Sequence, residues 1–561
     1  MSKKIDSILE VVRKNMFFSY SKKVFVVLFM SASGTIFAQQ VIEGTVTSRS
    51  NGKPLSNVTV TVANTNQTVT SDEKGHYKIT ANPDDVLVFT YNDYDSKEVK
   101  VGKDHKVNVQ LKNNTLAIDE VVLIGYGKQK KSDLTGAVGI VKVDDAKKTV
   151  TYDAAKMLQG QVAGVTVQSS GEPGGFVNIK IRGISSFRNN NPLFVVDGVI
   201  VDNPYDFSPS DIESMQVLKD ASSAAIYGVR GANGVVIITT KQGKKGKINL
   251  SYKVVNGYQN VPKTISVTNR EQYQQITNQA YLNSGQAILP ANDPSNPNFI
   301  SNVDTDWQKE GFRTGTIQNH TINVNGGTED LNYSVNLDYF KNTAYMNTPQ
   351  DFERYSFNMN FGGKKGKFSY GGKIAYSQSD KENFNAYDNG SPLIYLLQAI
   401  PTMPVYDPNR LGGYGGTDRN TQAAISLNII GYNHLITNTA KRHRFMGSVW
   451  GEYEILKNLK YKLNVSFDRL NVNSRVFVPV SDLGWYYVTE PGEAQLDVSS
   501  NHLTTTFINN LLTYDIKLGE HKLDFLAGWI QEKNDYYNQW SRGVGYSAGS
   551  IAQIEYADSR D

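Results

Sequence analysis

The sequence predicts a mainly β chain that combines a small β-sandwich, a mixed α+β domain and part of an antiparallel transmembrane β-barrel. Short alternating strands separated by turns fill the first part of the chain, and long alternating strands fill its second half. The composition agrees, because 11% of the 561 residues are aromatic, and Tyr occurs 32 times and Gly 47 times. Such a mixture suits β-hairpins with aromatic girdles better than a bundle of helices.

Composition also excludes several classes of protein. The formal net charge of +4 gives no overall field that would indicate a nucleic-acid-binding protein. The absence of cysteine excludes a disulfide framework, a thiolate metal site and a lipid-modified cysteine. The seven histidines lack the spacing of metal ligands, and no phosphate-binding loop or nucleophile elbow occurs. We therefore predict no enzyme activity, no catalytic residues, no metal site and no cofactor.

Residues 1–38 have the pattern of a secretory signal peptide. Lys3, Lys4 and further basic residues precede an apolar run from Val24 to Phe37, and Ala38 provides the small residue at the cleavage position. The run is shorter than the roughly 20 apolar residues that a transmembrane helix needs. If the mature protein lies in a membrane, it must therefore span it as a closed β-barrel.

Residues 39–113 predict a compact β-sandwich. Apolar and polar residues alternate in segments such as 41–47 and 58–62, and a turn signal, Asn51-Gly52-Lys53-Pro54, lies between them. Short strands with turn signals roughly every 8–12 residues are typical of a small all-β sandwich. This part of the chain is therefore expected to fold as a unit of its own.

The segment 114–127 joins this sandwich to the next domain and predicts an exposed edge strand. An exposed strand between two domains can add to another sheet through its unpaired N–H and C=O groups. We therefore expect the segment to be extended and mobile and to bind a partner strand. The residues concerned are Asp119, Glu120, Val121, Val122, Leu123, Ile124, Gly125, Tyr126 and Gly127.

Residues 128–245 predict a mixed α+β domain that is rich in glycine. The apolar run 193–196 is expected to be a buried strand that turns at Asp197-Gly198, which is a strong hairpin signal. A helix capped by Ser210 is expected further on, because Glu213 stands at the capping-box position.

Residues 246–561 alternate over long segments. In 331–339, 354–361 and 459–468, apolar or aromatic residues occupy every second position and polar residues the others. One such hairpin could belong to a soluble sandwich, but the whole set predicts barrel strands with an apolar outer face and a polar lumen. About nine strands are expected, whereas a plugged barrel needs about 22. We therefore expect an incomplete barrel, from a truncated sequence or a fragment.

Taken in order, these motifs resemble the SusC/RagA-type TonB-linked outer-membrane transporters. The segment 119–127 resembles the TonB box, residues 39–113 resemble a carboxypeptidase-regulatory-like domain, and residues 128–245 resemble the plug domain. Six plug motifs follow one another in register over about a hundred residues. Their residues include Arg182, Gly183, Asp197, Gly198, Lys219, Asp220, Tyr227 and Gly228.

The resemblance implies TonB-dependent import across the outer membrane of a Gram-negative bacterium, with the N-terminal domain in the periplasm. It implies four partners: the lipid bilayer, the periplasmic energy transducer TonB, a SusD-like surface lipoprotein that acts as a lid, and a substrate too large for porins. That substrate would be an oligosaccharide or a peptide. The alternative is a passive outer-membrane binding protein or adhesin, which would need neither a plug nor a partner strand.

Two expectations concern individual side chains. Arg182, Asp197 and Arg230 are expected among the polar contacts that seat the plug, since buried arginine is usually paired with carboxylate. Several loop aromatics could stack on sugar rings, or lie at the lipid boundary instead. These aromatics are Tyr387, Tyr395, Tyr406, Tyr414, Trp485, Tyr486 and Tyr487.

Overall fold

The computed structural model of the protein describes most of the chain after the predicted signal peptide, which lies outside the described residues. For 121–124 and 127–130 it describes the backbone alone. The chain divides into two compact units, Met1–Val121 and Val122–Asp561. The described residues are 40–49, 52–63, 65, 67–91, 94–102, 104–112, 121–124, 127–130, 138–141, 143, 150–187, 189–385, 387, 391–519 and 521–560.

The first unit contains a two-sheet β-sandwich. Its described strands are β1 (Gln40–Ser48), β2 (Thr59–Val62), β3 (Thr68–Thr70), β4 (His76–Ala81), β5 (Val86–Thr90), β6 (Lys97–Lys100) and β7 (Val109–Leu111). One sheet has the order β4-β1-β7 and the other the order β3-β2-β5-β6. Alternate residues of these strands point inwards, so that Ile42, Val60 and Phe89 are fully buried in one apolar core. The predicted N-terminal β-sandwich is therefore confirmed.

A mixed domain begins the second unit, after two short paired strands, β8 (Val121–Ile124) and β9 (Gly127–Lys130). Its main sheet has the order β10-β15-β16-β13-β14, and β11 and β12 form a separate hairpin. The strands are β10 (Val138–Val141), β11 (Val165–Ser169), β12 (Val177–Ile181), β13 (Leu193–Val196), β14 (Val199–Val201), β15 (Ile212–Leu218) and β16 (Val235–Thr240). The helical segments are α1 (Ala221–Ala224) and the 3₁₀ segments Ala154–Leu158, Pro209–Asp211 and Ala225–Gly231.

The predicted hairpin at Asp197-Gly198 joins β13 and β14. Both turn residues have positive φ, 49° and 87°, as the commonest two-residue hairpin turn requires. The helix predicted after Ser210 was wrong. Ser208 caps the single 3₁₀ turn Pro209–Asp211 instead, and the following residues form β15. This strand lies between β10 and β16 in the sheet and its residues 215–218 are all buried, so it lacks the alternation that would reveal a strand.

A ten-stranded antiparallel sheet makes up most of the described remainder. Each strand pairs with the next along the order β17-β18-β19-β20-β21-β22-β23-β26-β27-β28, and nine of these strands are long, as predicted. The strands are β17 (Gly246–Gln259), β18 (Gly315–Gly327), β19 (Asn332–Thr343), β20 (Asp351–Lys365), β21 (Phe368–Glu382), β22 (Thr437–Leu456), β23 (Leu459–Val478), β24 (Ser481–Asp482), β25 (Val488–Thr489), β26 (Gln495–Leu518), β27 (His521–Val544) and β28 (Ser559–Arg560).

The two ends of this sheet differ. At the short-turn end the strands are joined by 328–331, 366–367 and 457–458. At the opposite, long-loop end the connections include 260–314 and 383–436. Such asymmetry is typical of outer-membrane barrels, in which the long loops are extracellular.

The long loops fold into a layer of their own. Trp307, Met403 and Ile430 are buried in its apolar core.

Among the described helices, none has both the length and the apolar character that crossing a membrane requires. The helical segments of this part are α2 (Arg270–Asn283), α3 (Trp307–Gly311), α4 (Pro392–Gln398), α5 (Ile429–Leu435) and the 3₁₀ turns Pro290–Asn292 and Ile554–Tyr556.

One face of the ten-stranded sheet, called the inner face below, packs on the mixed domain. On this face Ser334, Asn336 and Asp338 of β19 are at most 4% exposed, whereas Leu337 on the other face is 46% exposed. The sheet therefore has the predicted alternation, with polar residues inside and apolar residues outside. The mixed domain occupies the position of a plug, and it is called the plug from here on.

Replacing Leu87 by Ala should destabilise the N-terminal sandwich. Leu87 is fully buried in its core, and the cavity left behind should lower the free energy of unfolding by about 2–5 kcal/mol. Thr90→Ala, at an exposed position of the same strand, should change it by no more than about 0.5 kcal/mol. Hydrogen–deuterium exchange of the amides in β1 and β5 measures both effects. Equal exchange in the two variants would contradict this description of the core.

Candidate functional site

Arg354 on β20 is the most deeply buried charge between the plug and the sheet. Its side chain is fully buried, and its Nη1 donates to the backbone oxygens of Tyr152 and Tyr205 of the plug, at 2.5 and 3.2 Å. Its Nη2 lies 3.6 Å from Oδ1 of Asp338 on β19. Because the guanidinium is planar and rigid, these contacts fix two plug segments relative to the sheet.

Asp206, between β14 and β15, forms a second anchor. Its carboxylate accepts hydrogen bonds from Nε and Nη2 of Arg442, each at 3.0 Å, and from Nη1 of Arg444 at 3.3 Å. Arg444 also donates to both carboxylate oxygens of Asp468 on β23, at 2.9 and 2.7 Å. Burial opposes ionisation of Asp206, but the charges and hydrogen bonds of the two arginines hold its pKa below the ordinary value.

A third anchor lies nearer the short-turn end, around Lys373 of β21. Its Nζ is 2.5 Å from Oδ2 of Asp197, which also accepts a hydrogen bond from Oγ1 of Thr240 at 2.6 Å. Nδ2 of Asn360 on β20 donates to the same threonine oxygen at 2.9 Å. The Lys373 side chain is only 3% exposed, so its charge is balanced by the plug rather than by water.

A fourth contact joins β19 to the 3₁₀ turn before β15. Nδ2 of Asn336 donates to Oδ1 of Asp211 at 2.5 Å, and Oγ of Ser210 donates to Oδ2 of Asp338 at 3.1 Å. Burial raises the pKa of Asp211 to about 6, and the neighbouring Asp338 carboxylate adds to the rise. The four contacts together attach the plug to four adjacent strands, β19 to β22.

The three charged residues predicted to seat the plug have two different roles. Asp197 and Arg230 contact the sheet, the latter with Nη1 2.7 Å from Oε2 of Glu532 on β27. Arg182 pairs inside the plug instead, with Nη2 2.5 Å from Oδ1 of Asp220. The remaining charged motif residue, Lys219, donates to a backbone oxygen within the plug, that of Ala163.

The glycines of the plug motifs serve backbone geometry. Gly183, Gly198 and Gly228 all have positive φ. Gly228, with φ 61° and ψ −150°, kinks the segment Ala225–Gly231 in a conformation that is essentially restricted to glycine. Tyr227 beside it is buried in an apolar cluster of the plug.

The segment predicted to bind a partner strand is described only in part. Val121, Val122, Leu123 and Ile124 form β8, and Gly127 begins β9, which pairs with β8. Asp119, Glu120, Gly125 and Tyr126 lie outside the described residues. The binding of a partner by this segment therefore stays a prediction.

Most of the loop aromatics predicted as sugar platforms pack in the apolar core of the loop layer. Trp485 is held in place as well, because its Nε1 donates to the Ala424 oxygen at 3.0 Å. Tyr406 and Tyr486 are more open, with exposed fractions of 59% and 47%. The aromatics that pack in the core are Tyr387, Tyr395, Tyr414 and Tyr487.

A row of side chains on the inner face of β27 has no signal in the sequence that distinguishes it from the outer face. Glu532 pairs with the plug, so the even-numbered residues of this strand lie on the inner face. Towards the long-loop end the same face carries a lumenal row of four residues, of which Tyr536 and Trp540 are 68% and 49% exposed. The alternation of the strand predicts two faces, but only the contact with the plug identifies the inner one. The lumenal row is Tyr536, Asn538, Trp540 and Arg542.

A cavity of about 720 Å³ lies in the plug surface next to this strand. Arg230, which pairs with Glu532, belongs to its lining. Within the described residues, no group of three or more His, Asp or Glu side chains is arranged to hold a metal ion. Other lining residues are Phe176, Asn178, Asn191, Asn203 and Asn233.

Comparisons with known proteins match both domains and the sheet. The model of the TonB-dependent receptor plug domain matches residues 130–235, and that of the CarboxypepD_reg-like domain matches residues 42–123. TonB-dependent receptor P26 of Formosa agariphila is 34% identical over 503 residues, which are 87% of this chain and 48% of that protein. TonB-dependent receptor SusC of Bacteroides thetaiotaomicron is 31% identical over 565 residues, 94% of this chain and 54% of that protein.

The chain thus spans about half the length of the curated relatives it matches. Among solved structures, the RagAB peptide importer in the open-open state is similar with a TM-score of 0.63 and 22% sequence identity. The similarity covers 79% of this chain and 52% of that one. It confirms the predicted mainly β fold, with a plug domain and an antiparallel barrel sheet.

Asp206→Asn should weaken the attachment of the plug. Arg442 and Arg444 would stay buried with less opposite charge, and removing one partner of a buried ion pair costs about 3–5 kcal/mol. Lys245→Gln, which breaks an exposed pair with Glu329, is the control and should cost less than about 1 kcal/mol. Thermal unfolding and limited proteolysis of the plug measure both. Equal stability of the two variants would contradict the anchoring role of Asp206.

The stability of the plug should fall as the pH rises from about 4 to about 6. Burial raises the pKa of Asp211 from 3.8 to about 6, so in this range the folded chain keeps a proton that the unfolded chain has lost. Asp211→Asn should make the decline shallower, while Asp153, whose pKa burial also raises to about 6, maintains the rest. Chemical unfolding at several pH values measures the slope. An unchanged slope in Asp211→Asn would argue against a buried, protonated Asp211.

Proposed function

Because this chain belongs to the SusC/RagA-type TonB-dependent receptors, we propose that it takes part in importing a large nutrient across the outer membrane of a Gram-negative bacterium. The observation that carries this proposal is the manner in which the plug is attached. Discrete ion pairs and hydrogen bonds hold it to the inner face of the sheet. A seated plug blocks a channel at rest, which a passive binding protein or adhesin would not require.

The polar character of this contact suits a plug that must move. The sheet adds Ala375, Met446 and Phe507 to the plug core. A second, small apolar cluster packs Phe340 and Phe352 of the sheet on two tyrosines of the plug. Exchanging protein–protein hydrogen bonds for bonds to water changes the free energy little, whereas exposing a continuous apolar interface would cost about 25 cal/mol per Å². The plug can therefore be displaced by moderate work and can return.

The work would be supplied through the segment 119–127. We infer that the periplasmic domain of TonB pairs with this segment by strand addition. The segment stands shortly before β10, the edge strand of the plug sheet, which pairs with β15. A pull at 119–127 would therefore reach an edge strand first, and an edge strand can be detached without opening the centre of a sheet.

We further propose a SusD-like surface lipoprotein as a lid at the long-loop end, and an oligosaccharide or a peptide as cargo. One matched relative is SusC, and a protein of similar fold is a component of a peptide importer. The apolar core around Trp307, Met403 and Ile430 holds the loop layer in one arrangement, which supports the docking of a lid on the outside of that layer. The division into 1–38, 39–113, 114–127, 128–245 and 246–561 is part of the same proposal.

Val122→Pro should abolish energy-dependent uptake and leave the binding of cargo unchanged. Proline removes a backbone N–H and fixes φ, so strand addition at this position fails. Val122→Thr keeps the N–H and the branched side chain and is the control. Uptake of labelled cargo by cells with and without an energised inner membrane measures the effect. Uptake by Val122→Pro at the unmodified rate would show that TonB acts elsewhere.

A further inference from the structure

We propose that Arg469 and His443, on the outer face of the ten-stranded sheet, bind the phosphate group of an anionic lipid in the outer leaflet of the membrane. The outer face is the one that points away from the plug. The inference goes beyond import, because it concerns a side of the sheet that neither the plug nor the cargo meets. The strands that carry it, β22, β23 and β26, are each paired with a neighbour on both sides.

The register of β22 and β23 places the two residues side by side. Arg444 of β22 and Asp468 of β23 form an ion pair on the inner face, so their sequence neighbours His443 and Arg469 point to the outer face. His443 lies opposite Asn471, two positions from Arg469. Diagonal neighbours of this kind are roughly 7–8 Å apart, which allows two long side chains to reach one phosphate group.

Arg469 stands where the apolar belt of β23 ends. It is ten positions after Leu459, the first residue of the strand, which is roughly 34 Å along the strand and roughly 26 Å along the membrane normal at a tilt of about 40°. The apolar belt of a barrel is about 25 Å tall. Because β23 runs from the short-turn end to the long-loop end, Arg469 lies at the extracellular edge of the belt. The belt residues just before it on this face, each 36–39% exposed, are Tyr461, Leu463, Val465 and Phe467.

A chain of hydrogen bonds holds Arg469 in one orientation. Its Nε donates to Oδ1 of Asn471 at 3.3 Å, and Nδ1 of His502 on β26 donates to the same oxygen at 2.7 Å. Nε2 of His502 is in turn 3.1 Å from Oγ of Ser500. An arginine that only has to reach water needs no such support. A guanidinium that is fixed before binding loses little conformational entropy when it meets a ligand.

The two terminal nitrogens of Arg469 keep their N–H donors. Among the described residues, neither has an acceptor within hydrogen-bond distance, and the residues opposite Arg469 on the adjacent strands are Phe445 and Thr504. Nδ1 of His443 is 3.1 Å from the hydroxyl of Tyr376, while its Nε2 has no partner in the described part of the chain. A guanidinium fork matches two oxygens of a phosphate group, and the imidazole can serve a third.

The charges of this region leave one cation without a counterion. On the inner face, the two arginines that bind Asp206 are balanced by two carboxylates. On the outer face, Lys441 lies opposite Asp380 in the register of β21 and β22. Arg469 forms no ion pair with any described carboxylate. A cation at the edge of the apolar belt attracts anionic headgroups.

The position of the site favours a lipid over a dissolved anion. Phe445 and Phe467 adjoin Arg469 on the outer face, with ring centres 6.3 Å apart. The acyl chains of a lipid would contact these rings while its phosphate group meets Arg469. A free phosphate ion lacks the apolar part of this interaction and has to give up its hydration for a single guanidinium and an imidazole.

The test measures lipid binding to the protein purified in mild detergent, by native mass spectrometry during titration with dioleoyl phosphatidic acid. Two further probes are dioleoyl phosphatidylcholine, which has the same acyl chains and no net charge, and sodium phosphate in the same concentration range. The variants are Arg469→Gln and His443→Gln. Thermal unfolding without lipid checks that each variant is folded.

The matched control is Arg475→Gln. Arg475 is on the same face of the same strand, six positions further from the belt, or roughly 20 Å along the strand. Its guanidinium already donates to the backbone oxygen of Ala552. The control therefore removes the same charge at a height that the lipid phosphate does not reach.

We expect phosphatidic acid to bind, with a dissociation constant that rises about tenfold in Arg469→Gln and about fivefold in His443→Gln, because charge-assisted hydrogen bonds are lost. Arg475→Gln should stay within about twofold of the unmodified protein. Phosphatidylcholine should bind at least about tenfold more weakly, and sodium phosphate should not displace the lipid. The inference would be overturned if phosphatidic acid failed to bind, if either variant bound it like the control, or if phosphatidylcholine bound equally well. Displacement of the lipid by sodium phosphate would indicate a site for small anions instead.

Discussion

Arg354 cannot be solvated by either the plug or the sheet alone. Desolvating a guanidinium costs several kcal/mol unless acceptors replace the lost water. Both of its hydrogen-bond acceptors are plug carbonyl oxygens, and the sheet contributes only the Asp338 carboxylate, an ion-pair partner at 3.6 Å. The fully buried position is therefore tolerable only while the plug is seated, and the same reasoning applies to Lys373, whose ion-pair partner Asp197 belongs to the plug. Plug and sheet consequently stabilise each other.

The anchors are unevenly distributed along the plug. Most of them come from the stretch between β14 and β15, where Tyr205, Asp206, Ser210 and Asp211 all bond to strands of the sheet. This stretch follows the β13–β14 hairpin and leads directly into β15, which lies between β10 and β16, so it attaches an inner strand of the plug sheet to the ten-stranded sheet. The edge strand β10 is nearer in sequence to the segment where TonB is proposed to act. The arrangement separates the part of the plug that is held from the part that can be detached.

Local sequence patterns predicted the features that depend on local geometry. Alternation predicted the long strands and their two faces, and Asp197-Gly198 predicted a hairpin whose positive φ angles the structure contains. The same reasoning failed for β15, because a strand buried on both faces does not alternate. The contacts that attach the plug to the sheet could not be predicted from the sequence for a different reason. Asp206 and Arg442 are separated by 236 positions, and no local signal relates such distant residues.

The lumenal row shows how these two kinds of information combine. On β27 the residues Trp529, Tyr536, Tyr537 and Trp540 are chemically alike, and composition alone does not distinguish those of the outer face from those of the inner face. A shift of one residue in the register would exchange the two faces. The ion pair of Glu532 with Arg230 excludes that shift, because it requires even-numbered residues to face the plug. The contact that helps to hold the plug therefore also identifies which aromatic rings of β27 lie on the inner face.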